Sequence, residues 1–229
     1  MTTPATETLA ASPRERVLAV PELGEHVLLA IDTALGTSIA LGHGGLVYEV
    51  SSDDSRGHAE AIGGLLARAF ELAGVTPSEV TGVVAGIGPG PFTGLRVGIA
   101  AAHAFAVGRG VPLLPLQGHE AVALAMLESG SAPELRVVQD AKRRELFVTE
   151  YDGYTWASLP QRSDEPSLAL RDALVPAPGD VWPERIPAAR LVQLAARRLV
   201  SSVSFEEDRA LYLRAPDVKP AAAVKRVSV

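Results

Sequence analysis

A two-lobed α/β fold is predicted by three features of the sequence. Three strand-like runs follow one another between Val27 and Ser51, and helical apolar patterns then alternate with short apolar runs. A run at Thr81–Gly86 passes directly into a loop dense in glycine and proline, and from there into a small-residue helix. A chain of 229 residues with 47% hydrophobic content can bury a core of one large domain or two small lobes.

Residues 1–26 are rich in Thr, Ala, Pro and Glu without a sustained apolar period, and read as a mobile extension. Val27–Ile31 is a continuous apolar run ending at Asp32; DTALG supplies a turn, TSIALG a returning strand and LVYEVS a third. After the polar loop Ser51–Gly57, the positions Ile62, Leu65, Leu66, Ala69, Leu72 and Ala73 recur at helical spacing from His58 onward. Leu95–Val107 is the second helix, VPLLPL a short strand, and Glu120–Leu127 a third helix. The first lobe therefore covers 27–118 and the second 119–229. LRVVQD and ELFVTEYD, joined by the charged turn AKRR, form a hairpin that opens the second lobe. Residues 153–187 carry weak periodicity and predict a strand or two and a short helix. Pro187 suits the first position of a last helix, Ala188–Val200.

The loop AGIGPGPFTGLRVG, Ala85–Gly98, is the most informative stretch. Gly88, Gly90 and Gly94 can adopt positive φ or admit a neighbouring backbone, Pro89 and Pro91 fix φ, and the helix beyond Thr93 offers unpaired amides to an anion. A P-loop needs Gly-Lys-Ser/Thr, yet Gly94 is followed by Leu95 and Arg96. The dinucleotide fingerprint begun at Gly88 meets Thr93 where its third glycine belongs. Two readings stay open: an anion site, or a tight Gly-rich connection.

Composition narrows the function. No cysteine is present, which excludes disulfides, thiolate catalysis and cysteine-ligated metals. A net charge of −6 argues against autonomous nucleic-acid binding, which draws its affinity from clustered Lys and Arg. No apolar run reaches the length of a membrane span and the N-terminus lacks a signal-peptide core, so no membrane contact and a cytoplasmic location are expected.

The segments GIGPGPFTGLRVGIAAAHAFA, LLAIDTALGTSIAL (28–41), VVQDAKRRELFVTEYD (137–152) and ALYLRAPDV (210–218) together resemble the bacterial TsaB family, and the likeness covers nearly everything after residue 26. The resemblance implies an actin-like ATPase fold of the ASKHA, ribonuclease H-like kind. It also implies a non-catalytic role beside a TsaD-like enzyme and a TsaE-like ATPase. In that machinery threonylcarbamoyl passes from threonylcarbamoyl-AMP to adenosine 37 of tRNAs reading A-starting codons, with ATP and a metal used by the complex rather than bound by this chain. By the same resemblance Asp32 and Asp140 occupy vestigial phosphate-site positions. DTALGTS lacks a glycine two places after Asp32, and AKRRE replaces a glycine-rich turn; a turn-capping role is the competing reading of both aspartates. The TsaD metal site uses a His-x-x-x-His pair. Here His119 has Ala123 and Pro115 at the helical offsets, so no pair forms and His119 is expected to cap or border a helix.

In the family the first two helices form a four-helix interface with TsaD, or with a second copy in a homodimer. Ile62, Leu65, Leu66 and Ala69 on the first helix, and Leu95, Gly98, Ala101, Ala102 and Phe105 on the second, are the expected partner-binding residues. Gly88, Pro89, Gly90, Thr93, Gly94 and Arg96 form the structural glycine loop. Contact with tRNA is expected only through the complex. An independent kinase or peptidase-like enzyme and a homodimeric scaffold unrelated to tRNA are the alternatives. The first would need intact phosphate glycines with a catalytic aspartate or paired histidines.

Overall fold

The computed structural model of the chain describes residues 14–53, 58–130 and 134–214. Its first sheet has six strands: β1 (Arg14–Ala19), β2 (Leu28–Asp32), β3 (Thr37–His43), β4 (Leu46–Ser52), β5 (Gly82–Gly86) and β6 (Leu113–Leu116). They lie in the order β1-β4-β3-β2-β5-β6, antiparallel through β1–β4 and parallel from β2 to β6. Helix α1 (His58–Ala73) and helix α2 (Phe92–Arg109) connect β4 to β5 and β5 to β6. Helix α3 (Gly118–Glu128) leads to a second sheet of β7 (Glu134–Asp140), β8 (Glu145–Tyr154), β9 (Pro160–Arg162), β10 (Ser167–Leu170) and β11 (Asp180–Val181). The chain then enters helix α4 (Ala188–Val200).

The first sheet is covered on both faces, which explains the uninterrupted apolar run of β2. Leu29, Ile31, Ile39, Leu41 and Val50 point toward α1 and α2, while Leu28, Ala30, Ala40 and Val47 join the core beneath α3 and α4. Helix α4 belongs to the second lobe by sequence, yet it packs on the first sheet. Side chains from that sheet cap it: Ala188 N–H donates to Ser38 Oγ (3.3 Å) and Ala189 N–H to Glu49 Oε2 (2.8 Å). The carboxyl of Glu49 is pushed above the usual range by burial, partly offset by that Ala189 bond. The boundary at 118 thus separates the sheets without separating the cores.

The expected mobile extension is corrected by β1. Residues Arg14–Ala19 pair along β4, Val20 and Leu23 are fully buried, and the ordered fold starts before Val27. Those two anchors hold a strand whose own side chains are mostly exposed. Residues 1–13 lie outside the described residues. The hairpin, α1 and α4 match their sequence expectations, and 153–187 contains the short strands β9, β10 and β11 with one 3-10 turn at Arg171–Ala173.

Candidate functional site

The glycine loop closes on the turn that follows β2. Thr33 is 1% exposed; its Oγ1 donates to Gly94 O (2.6 Å) and accepts from Gly98 N–H (2.9 Å), so one hydroxyl bridges two groups a helical turn apart in α2. Glycine is required where this turn presses in. A Cβ on Gly98 would lie 2.3 Å from Thr33 Oγ1, one on Gly94 2.7 Å from Thr33 O, and one on Gly90 2.8 Å from the Ala34 Cβ. Gly88 has φ +108, a backbone open to glycine. Gly88, Pro89 and Gly90 are all buried, and Gly118 N–H donates to Gly88 O (2.7 Å). The loop glycines therefore form a socket for Thr33 and Ala34.

Asp32 does the work of a turn cap. Its Oδ1 accepts from Ala34 N–H (2.8 Å), while Oδ2 has no partner among the described residues and lies across Gly86, where a Cβ would approach it to 2.0 Å. Burial raises its pKa from 3.8 to about 7, against the lowering effect of the Ala34 bond. Asp140 is half exposed. Burial pushes its carboxyl up, but the Lys142 amide and ammonium and the Arg171 guanidinium outweigh it and hold the group below its usual range. No hydrogen bond joins Asp140 to Asp32 among the described residues.

His119 stands in the first turn of α3, at the border of the helix, but it caps nothing: the ring is fully buried and bonds the second-lobe hairpin. Nε2 lies 3.1 Å from Gln139 Oε1, which can only accept, so Nε2 carries the proton and Nδ1 accepts from Thr149 Oγ1 at 2.8 Å. Burial lowers its pKa from 6.5 to about 4, opposed by the Gln139 bond. With both nitrogens engaged it offers no metal ligand, and no group of three His, Cys, Asp or Glu converges among the described residues. His119 and its partners therefore do not fit a metal, and the space between the loop glycines is filled by Thr33 and Ala34.

The two helices divide the expected partner residues into two sets. Ile62, Leu65 and Ala69 of α1 and Leu95, Gly98 and Ala102 of α2 are buried within the chain's own core. Leu66, Ala101 and Phe105 are half-buried, with Phe105 stacked on Phe70 at 5.9 Å in the seam between the helices. The outward surface is instead Gly63, Gly64 and Ala67 of α1 with Ala100, Ala104 and Val107 of α2. Alanine surrounds α2, so its sequence carries no phase to distinguish these faces. Thr93 is exposed, and Arg96 leaves the glycine loop altogether: its guanidinium lies 3.7 Å from the Phe92 ring centroid and Nε donates to Tyr212 Oη (3.1 Å). Tyr212 also packs against Phe92 with its ring tilted by 34°, centroids 4.6 Å apart, and His103 pairs with Asp208 at 2.9 Å, so the segment after α4 is fastened along α2.

The family model described as TsaD, tRNA N6-adenosine threonylcarbamoyltransferase, matches residues 29–162, more than half of the chain. The chain belongs to this family. An uncharacterized protein of Mycobacterium tuberculosis is 33% identical over 207 residues, covering 85% of this chain and 95% of that protein. A tRNA N6-adenosine threonylcarbamoyltransferase of Streptococcus pneumoniae is 40% identical over 111 residues, which is 43% of this chain and 32% of that enzyme. Among solved structures, a Pseudomonas aeruginosa protein with similarity to peptidase YeaZ superposes with a TM-score of 0.73 at 21% identity, covering 82% of this chain and all of that one. YeaZ from the same organism gives 0.69 at 23% identity over the same shares. The two sheets with their helices are thus the actin-like, YeaZ-type form of this TsaD-family fold. None of the α-helices among the described residues is long and apolar enough to cross a membrane.

Proposed function

We propose that this chain is the TsaB-like, non-catalytic subunit of the machinery that makes N6-threonylcarbamoyladenosine at position 37 of tRNA. It acts in the cytoplasm beside a TsaD-like catalytic subunit and a TsaE-like ATPase, and pairs with itself when that partner is absent. The partner holds the metal, the complex consumes ATP and threonylcarbamoyl-AMP, and this chain contributes a shaped surface. The observation that carries the reading is the closed glycine loop: the amide-rich start of α2, which the sequence left open as an anion site, is packed by Thr33 and Ala34. The same observation weighs against an independent kinase, and the engaged His119 weighs against a metallopeptidase. A net charge of −6 fits tRNA contact through partners.

The test pairs two substitutions on one helix. Ala104→Glu places a carboxylate on the exposed face of α2 and should leave the melting temperature within a degree or two, as surface changes do. Titrated against the TsaD-like subunit it should lose at least tenfold in affinity, because the carboxylate is desolvated in the contact. Ala102→Glu, at a fully buried position, should unfold the chain. In a tRNA modification assay the chain alone should give no product and should stimulate the TsaD-like subunit. Unchanged affinity for Ala104→Glu and for Ala67→Glu on α1, or modification by the chain alone, would refute the reading.

A further inference from the structure

Three of the five buried side-chain polar atoms that lack a partner among the described residues belong to residues lining two neighbouring cavities behind the tail that follows α4. The first, about 500 Å³, has Tyr151, Glu120 and Arg198 as its floor and Arg162, Glu165 and Glu206 at its mouth. The second, about 490 Å³, shares Glu165 and Glu206 and contains Gln117. In the first cavity both unpartnered atoms are donors. Arg198 spends Nη2 on the two oxygens of Glu120, each at 2.9 Å, and Nη1 on Ser204 O, which leaves Nε–H spare. Tyr151 is 1% exposed, and its hydroxyl has no acceptor among the described residues. Burial and the Glu120 carboxylate hold that hydroxyl well above its ordinary pKa, so it remains an O–H donor. Tyr151 lines the first cavity together with Glu120, Arg162, Arg198 and Glu206.

The mouth has the opposite demand. Glu165 and Glu206 share the single guanidinium of Arg162, at 3.0 and 3.5 Å, so one carboxylate charge is uncompensated, and Asp164 adds another beside them. A simple anion would satisfy the floor and be repelled at the mouth. A simple cation would suit the mouth and leave the donors bare. We propose that this cavity binds a small zwitterion, a free α-amino acid, with its carboxylate on Tyr151 O–H and Arg198 Nε–H and its ammonium on Glu206 and Glu165. The volume is ample for such a ligand. The site is independent of the helix surface proposed for the partner.

The experiment is calorimetric titration and thermal-shift measurement of the whole chain against each of the twenty L-amino acids, with acetate and methylammonium as half-ligands. At least one amino acid should bind with one-to-one stoichiometry and raise the melting temperature, while neither half-ligand does so. N-acetylation or amidation of that amino acid should weaken binding at least tenfold. Tyr151→Phe should weaken it about tenfold while the ligand-free melting temperature stays level or rises, because a bare buried hydroxyl is removed. Glu206→Gln, on the partly exposed mouth, is the second variant and should weaken the same ligand similarly if Tyr151→Phe does not fold. No binding by any of the twenty at millimolar concentration overturns the proposal. It fails equally if binding survives acetylation, or survives both substitutions.

Discussion

Gly98→Ala is the sharpest probe of the socket, because two strong effects oppose each other at one atom. In an exposed helix interior the change is favourable by about 1 kcal/mol. Here the new methyl carbon would lie 2.3 Å from Thr33 Oγ1 and 3.2 Å from Thr33 Cβ and Cγ2. The hydroxyl must leave its place between Gly94 O and Gly98 N–H, in a region with no free volume. Overpacking costs about 1–3 kcal/mol and the disrupted buried hydrogen bonds about 1–3 more. The net expectation is a loss of about 2–4 kcal/mol, read as a lower midpoint in urea at unchanged slope. Thr33→Ala should cost about 1–2 kcal/mol, because Gly94 O and Gly98 N–H can bond each other once the hydroxyl is gone. In the double variant the obstructing Oγ1 and Cγ2 are both absent and only the Cβ contact at 3.2 Å remains. It should therefore be at least ~1.5 kcal/mol more stable than the two single losses predict together. A Gly98→Ala protein as stable as the parent, or strictly additive losses, would show that Thr33 does not occupy the helix as described.

Two further predictions concern pH. Asp32 has a folded pKa of about 7 against 3.8 for the free side chain, so the folded state binds its proton more tightly. Its contribution to stability is greatest below 3.8 and is lost as pH rises toward 7. Asp32→Asn should therefore gain on the parent between pH 5 and pH 8 by roughly a few kcal/mol in denaturant unfolding, and an equal difference at both pH values would remove the case for a strained buried carboxyl. His119 runs the other way: with 6.5 unfolded and about 4 folded, its contribution is complete above 6.5 and is lost as pH falls toward 4. His119→Gln should abolish that loss, narrowing the gap to the parent by roughly 2 kcal/mol between pH 7 and pH 5; parallel acid limbs for the two proteins would refute a buried neutral ring.

Local periodicity made much of this fold legible. The spacing from Ile62 to Ala73 placed α1, and Pro187 with the apolar stripe behind it placed both ends of α4. Strand β1 was missed because RERVLA exposes nearly all of its side chains, and its anchorage at Val20 and Leu23 follows the strand. The glycine loop was legible as a place of close approach. What approaches is Thr33, 61 positions from Gly94, and no local pattern can supply that partner. The helix faces escaped for a different reason: alanine around α2 gives no hydrophobic phase, so Ala102 and Ala104 are equivalent in sequence and opposite in burial. His119 was read as solitary because its partners, Thr149 and Gln139, come from a hairpin that only the tertiary fold brings to α3.

Helix α4 makes the order of synthesis matter. The bond from Ala188 to Ser38 spans 150 positions, and Leu191, Val192, Leu194 and Ala195 seal a face of β2 and β3 built from the first part of the chain. That face is apolar and is covered only by a helix far along the chain, so closing the core depends on long-range contacts of the kind that slow folding. Arg190 and Arg197 both grip Glu128, and Arg197 also reaches Glu22 at 3.0 Å. One helix is thus riveted to residues on either side of the lobe boundary, and the consequence is a hinge locked by its own bolt: neither lobe can turn against the other without breaking these ion pairs and uncovering the face that α4 seals.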